Sequence, residues 1–241
     1  MFKLFRSESV SGFSFVVPSV SVGNVAQLAV DLLIETLKLS KVGLLWHPAL
    51  IPVAGPAAYA HDSDKITTTA ELFASDEHKL LVLQLRAPLV GSLTADFLTS
   101  LSDFVESQKL GDVFILSSSF AHENQQIGSR FKYVATEAFL SKRQEALTQL
   151  KWPQLEGSVI HGGGFAMKLQ QLLVARNQSG LVLFSYVSEG DNTTDAVNLV
   201  SLLDQIREPV LLPRDDEQKI KIAVPSSWKH LFGNSAPVNV Y

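Results

Sequence analysis

The chain has 241 residues, 46% hydrophobic and 18% charged, with 20 Lys and Arg against 24 Asp and Glu for a formal charge of −4. That composition supports one sizeable core and excludes global disorder, and its acidic balance lacks the basic patch that nucleic-acid binding requires. With no cysteine, disulfide scaffolds, thiolate metal sites and cysteine nucleophiles are excluded. The lack of cysteine fits an intracellular protein, and the first eight residues carry charges where a signal peptide needs an apolar run. Residues 9–30 and 42–60 contain no Asp, Glu, Lys or Arg. Glycine and proline interrupt both stretches, so neither is expected to cross a membrane and the chain is expected to be soluble.

In chain order, Phe13 to Val17 is a β-branched and aromatic run stopped by Pro18, which predicts a buried strand followed by a turn over 19–23. Residues 24–39 predict a helix. Asn24, Gln27, Asp31, Glu35 and Lys38 fall on one side at steps of three and four, with Val25, Leu28, Ala29, Leu32 and Leu33 on the other. Asn24 is the expected N-cap. Val42 to Trp46 predicts a strand, Pro48 to Pro56 a loop, His61 to Lys65 a turn, and Ile66 to Phe73 a weak strand. Lys79 to Arg86 is rich in Leu and Val and predicts a strand covered on both faces. A helix over 93–109 is expected to end at Gly111, and a buried strand over 113–116 opens into Ser117, Ser118 and Ser119.

Further on, Phe131 to Val134 predicts a strand and Lys142 to Leu150 a helix before Pro153. Gly162, Gly163 and Gly164 precede a helical stretch over 165–174. A strand over 181–187 is followed by a helix over 192–207, with Asn192 and Asp195 at capping-box positions. Charged, proline-bounded residues 208–221 predict a linker. The alternation predicts an α/β chain: a three-layer α/β/α sandwich with a mostly parallel central sheet and a single domain over 1–212. A linker and aromatic tail follow over 213–241.

Four strings resemble chemistry, and each has a plainer explanation. His161-Gly162-Gly163-Gly164 is similar to an esterase oxyanion loop, but no Gly-x-Ser-x-Gly elbow accompanies it. The order Ser118, Asp191, His230 imitates a catalytic triad, as any α/β chain with six histidines will. The same glycines with Lys168 suggest a phosphate loop that lacks the Gly-Lys-[Ser/Thr] signature. Glu189 and Asp191 cluster at a strand end, where a tight turn and a capped helix explain them equally well. His47, His61, His78, His122, His161 and His230 show no zinc-ligand spacing. The chain closes on Val238, Asn239, Val240 and Tyr241 with no charged side chain in its last eight residues. Such an end suits insertion into a pocket with its carboxylate at the tip; the alternative is a frayed tail. Trp228, Leu231 and Phe232, just upstream, read as buried anchors or as contacts.

The ordered set of strings carries more than any one of them. Residues 18–29, Leu83-Gln84-Leu85-Arg86, Leu116 to Ser119, Phe131-Lys132-Tyr133, Ile160 to Gly164, Val187 to Asn192 and Pro225 to Gly233 together resemble the proteasome assembly chaperone 2 family, from about Gly12 to Tyr241. The resemblance implies an α/β/α sandwich without catalytic residues, cofactor or metal. It implies a heterodimer with proteasome assembly chaperone 1 that binds the outer face of the proteasome α-subunit ring, in the cytoplasm and nucleus. There it favours correct ring assembly and blocks off-pathway ring association and early docking of regulators. No nucleic acid or membrane is implied. It also implies that the tail residues Val238, Asn239, Val240 and Tyr241 enter a pocket between α-subunits. The family's hydrophobic-Tyr-x ending puts tyrosine second from last, whereas here Val240 stands there and Tyr241 is last. Where the family often has proline before the glycines, this chain has His161. The competing class is an α/β hydrolase or nucleoside-handling enzyme built on His161 to Gly164 with Glu189 and Asp191. A third is a heterodimer scaffold that never touches the ring.

Overall fold

A computed structural model of the protein describes residues 2–124, 129–207 and 211–230. One eight-stranded sheet runs through it. Its strands are β1 (Phe2–Leu4), β2 (Ser14–Pro18), β3 (Ser40–Leu45), β6 (Ala70–Ser75), β7 (Leu80–Leu85), β8 (Val113–Phe120), β9 (Phe131–Ala135) and β10 (Gly180–Val187). They lie in the order β1-β3-β6-β7-β2-β8-β10-β9. The short strands β4 (Ala54–Gly55) and β5 (Thr67–Thr68) form a separate ribbon. Helices α1 (Val25–Thr36), α2 (Thr94–Ser107), α3 (Glu137–Leu150), α4 (Ala166–Ala175) and α5 (Thr193–Ile206) cover the sheet.

The central strands show why two helical layers are needed. All six residues of β7 are buried. Leu80 and Val82 join a core with α1, α3 and α5, while Leu81, Leu83 and Leu85 join another with α2 and α4. Strand β8 divides likewise, with Phe114 and Leu116 on the first side and Val113 and Ile115 on the second. A strand whose alternate side chains all meet apolar partners must lie in the middle layer. The α/β/α sandwich is therefore as the sequence predicts.

The sheet is mixed rather than mostly parallel. Only the β7–β2, β2–β8 and β8–β10 pairings are parallel, and the other four are antiparallel. Four residues, 76–79, join β6 to β7, and so short a link permits only a hairpin. Three helix ends also differ from expectation. Asn24 occupies the N-cap position of α1 in a left-handed conformation (φ 53°), and its side chain makes no cap bond. Lys109 (φ 51°), not Gly111, takes the left-handed position after α2, while the Gly111 N–H bonds Phe13 O. At α5 the Thr193 N–H is accepted by the Asp191 carboxylate, and Asn192 makes no cap bond.

Candidate functional site

Ligands of open α/β sheets usually sit outside the carboxyl ends of parallel strands, where the strand order reverses. Here that point lies between β2 and β8, since β2 leads into the β3–β7 half of the sheet and β8 into the β9–β10 half. The His161–Gly164 loop and Ser118 of the imitation triad converge on it. The crevice is filled by the chain itself.

The turn at residues 161–164 is the filling. The carbonyls of residues 161–163 are engaged in succession. His161 O accepts from Ser119 Oγ at 2.8 Å, and Gly162 O from the Val22 N–H at 3.1 Å. Gly163 O accepts from both Ser19 Oγ (2.8 Å) and Ser117 Oγ (3.0 Å). Ser19 Oγ in turn accepts the Phe165 N–H at 2.8 Å. The glycines are needed because the fit leaves no room. A β-carbon on Gly164 would lie 2.1 Å from Val20 O, and one on Gly162 would lie 2.3 Å from Val22 Cγ2. Both residues have positive φ, 60° and 75°, which L side chains rarely adopt.

This geometry places each candidate group. Ser118 is fully buried and donates to Val22 O at 2.5 Å. Its one proton being used there, the 2.8 Å contact with Ser21 Oγ has Ser21 as donor. Asp191 is exposed on the far side of a turn, its carboxyl held below the usual range by the bonds from Thr193. The side chain of His230 lies outside the described residues, so the imitation triad reduces to a buried, bonded serine and a surface aspartate. The His161 side chain is exposed. At the start of α4, near Lys168, the Phe165 and Ala166 N–H groups are already given to Ser19 Oγ and Gly163 O. Glu189 and Asp191 share the rim of an open cleft of about 430 Å³ with Arg130, Tyr186 and Asp195. Among the described residues no group of three or more His, Asp or Glu is arranged to hold a metal, and no helix is long and apolar enough to cross a membrane. Val238, Asn239, Val240 and Tyr241 lie outside the described residues, as do Leu231 and Phe232.

Two features were not legible in the pattern of residues. The polar side of α1 is not a solvent face, because Asp31 and Glu35 are both buried. Asp31 Oδ1 accepts from Tyr59 OH (2.5 Å), Gln84 Nε2 and Arg86 Nη2 (3.0 Å), and Oδ2 from Trp228 Nε1 (3.4 Å). Burial and the Asp31 charge push the Tyr59 hydroxyl well above its usual pKa. Burial works against the Arg86 charge, but Asp31 and Tyr59 overcome it, so the guanidinium pKa is raised. Helical spacing marks Asp31 only as polar; its partners come from β7, the loop before β5 and the C-terminal segment. The second feature is an apolar groove of about 450 Å³ at the end of β3, lined by Leu44, Trp46, His47, Leu50, Pro52 and Val53 among others. Trp46 is 71% exposed beside it. It falls in the uncharged stretch 42–60, which was the available signal.

The comparisons with known proteins agree over most of the chain. The profile of the PAC2 family matches residues 15–218. Proteasome assembly chaperone 2 of Homo sapiens is 32% identical over 250 residues, covering 95% of this chain and 94% of that protein. The Danio rerio protein of the same name is 33% identical over 248 residues, covering 95% of each. Among solved structures, Pyrococcus furiosus PbaA, an archaeal homologue of proteasome-assembly chaperone, superposes with a TM-score of 0.66 at 15% identity, covering 86% of this chain and 85% of that one. Pyrococcus furiosus PbaB, described as an archaeal proteasome activator, gives 0.65 at 17% identity, covering 89% and 90%. Those two likenesses concern the fold; the family rests on the profile and the close relatives. The chain belongs to the PAC2 family, within which it is similar end to end to the proteasome assembly chaperone 2 proteins.

Proposed function

We propose that this chain is a non-catalytic chaperone of 20S proteasome assembly, working in the cytoplasm and nucleus. It pairs with proteasome assembly chaperone 1 and holds the outer face of the α-subunit ring, promoting correct ring formation. The observation that carries this reading is the likeness to proteins named proteasome assembly chaperone 2 over 95% of the chain. The filled crevice supports it: where related architectures receive a ligand, this chain places its own backbone, and Ser118 is committed to Val22 O. The exposed, uncharged surface around Trp46 is in keeping with protein partners.

In this reading residues 1–212 are the chaperone body, and 213–241 carry the tail whose tip, Val238 to Tyr241, enters a pocket between α-subunits. Burying Val240 and Tyr241 contributes on the order of 2–4 kcal/mol from apolar area, reduced by the entropy of ordering the tail. A rigid dimer with two tails gains further from effective concentration. Deleting residues 239–241 is expected to weaken capture of α-subunits in a pull-down and to leave the partner dimer intact. Equal capture by the full and shortened chains would remove the tail from the account.

A further inference from the structure

The segment after α5 runs back over the body along a defined course. The Leu211 and Leu212 N–H groups both bond the buried Asp204 carboxylate, at 2.7 and 2.9 Å, and Arg214 Nη2 reaches its other oxygen at 2.8 Å. A turn around Asp215 follows, with the Lys221 N–H on Pro213 O. The chain then passes along α1 from its carboxyl end toward its middle. The Ala223 N–H bonds Thr36 Oγ1 at 2.9 Å, and five residues later the Trp228 indole N–H bonds Asp31. Ile220, Ile222 and the Trp228 ring pack on the core shared by α1 and α5, and the Ser227 N–H bonds Ala58 O.

Asp31 is an unusual anchor for so peripheral a segment. It is held by Gln84 and Arg86 at the end of β7 and by Tyr59 from the loop before β5, so its position does not depend on Trp228. A charged acceptor with fixed geometry in a poorly hydrated place holds a donor more tightly than a mobile surface group does. The indole bond is long, and the ring's packing adds to it.

We propose that Asp31 and Trp228 are a latch that fixes the course of residues 220–228 along α1 and so sets the point from which the proposed tail starts. They act as positioning residues for the tail and are separate from the tip that does the binding. This rests on the tail-insertion reading above. Release of the latch frees residues 224–228 from α1, so the starting point of the tail moves and the effective concentration of the tip at its pocket falls.

The test uses the full chain with its partner, as wild type, Trp228→Phe and Trp228→Ala, each with and without residues 239–241. Trp228→Phe removes the indole N–H and keeps a ring; Trp228→Ala removes both. Hydrogen–deuterium exchange of the 222–228 amides is expected to rise about tenfold in Trp228→Ala and less in Trp228→Phe. Capture of α-subunits is expected to fall several-fold in the full-length variants, with no further fall once the tip is deleted. Unchanged exchange would overturn the latch. Raised exchange with unchanged capture, or an equal loss of capture in both tail backgrounds, would overturn its positioning role. Wild type that captures no α-subunits would defeat the tail-insertion reading and the positioning role together, while the exchange result still decides the latch.

Discussion

Substituting Gly164 by alanine tests the filled crevice at its tightest point. The added methyl would lie 2.1 Å from Val20 O and 2.6 Å from Ser19 Oγ, so the Val20 backbone must withdraw by roughly 1 Å to reach an ordinary contact. A left-handed residue other than glycine costs about 1–2 kcal/mol. The withdrawal also disturbs the Ser19 bonds to Gly163 O and from Phe165, each worth about 1 kcal/mol. The total is about 3–4 kcal/mol, or a fall in Tm of roughly 6–16 °C for a chain of this length. Urea and thermal unfolding of wild type, Gly164→Ala and Gly157→Ala would measure it. At Gly157 a β-carbon meets nothing within 4 Å, so that variant is expected within about 1 kcal/mol of wild type. If Gly164→Ala is as stable as Gly157→Ala, the turn is not locked into the crevice and the reasoning fails.

Tyr59→Phe is expected to cost about 1–3 kcal/mol at neutral pH through the lost bond to Asp31, read by urea unfolding. It should also flatten the alkaline limb. In the folded chain the Tyr59 pKa is raised, so its contribution is complete below the unfolded value near 10 and is lost as pH rises beyond it. Wild type should therefore lose stability faster than Tyr59→Phe above pH 10, by up to about 1.4 kcal/mol per pH unit; parallel curves would contradict this. Leu203→Ala, on the fully buried face of α5 against α1, is expected to cost about 2–5 kcal/mol by calorimetry or denaturant. Asp204→Asn should leave the far-ultraviolet spectrum unchanged and raise amide exchange at Leu211 and Leu212, whose N–H groups that carboxylate accepts.

The sandwich was legible because its strands are short and apolar on both sides, as in Leu80–Leu85, and because helices separate most of them. Sheet direction was less so. Strands were expected over 66–73 and 79–86, but nothing marked the short link between them as a hairpin, and that hairpin turns one half of the sheet antiparallel. The end of α2 was misplaced because glycine is the usual left-handed residue, whereas Lys109 adopts that conformation here. The triglycine string was visible, but its purpose was not. Only in three dimensions do Ser19, just after β2, and Ser117 and Ser119 of β8, about 100 residues on, converge on the carbonyls of His161 and Gly163. Asp31 was likewise placed on the polar side of a helix, since periodicity says which residues share a face and nothing of what meets it.

The central claim is that this chain acts by holding other polypeptides of the proteasome during assembly. The direct measurement is to isolate the protein from its own cells through an affinity tag at its amino end, leaving Tyr241 free, and to identify what comes with it by mass spectrometry. The account predicts a proteasome assembly chaperone 1 relative in equal amount, together with α-subunits and no mature 20S particle. Recovery of the chain without that relative or any α-subunit would contradict it.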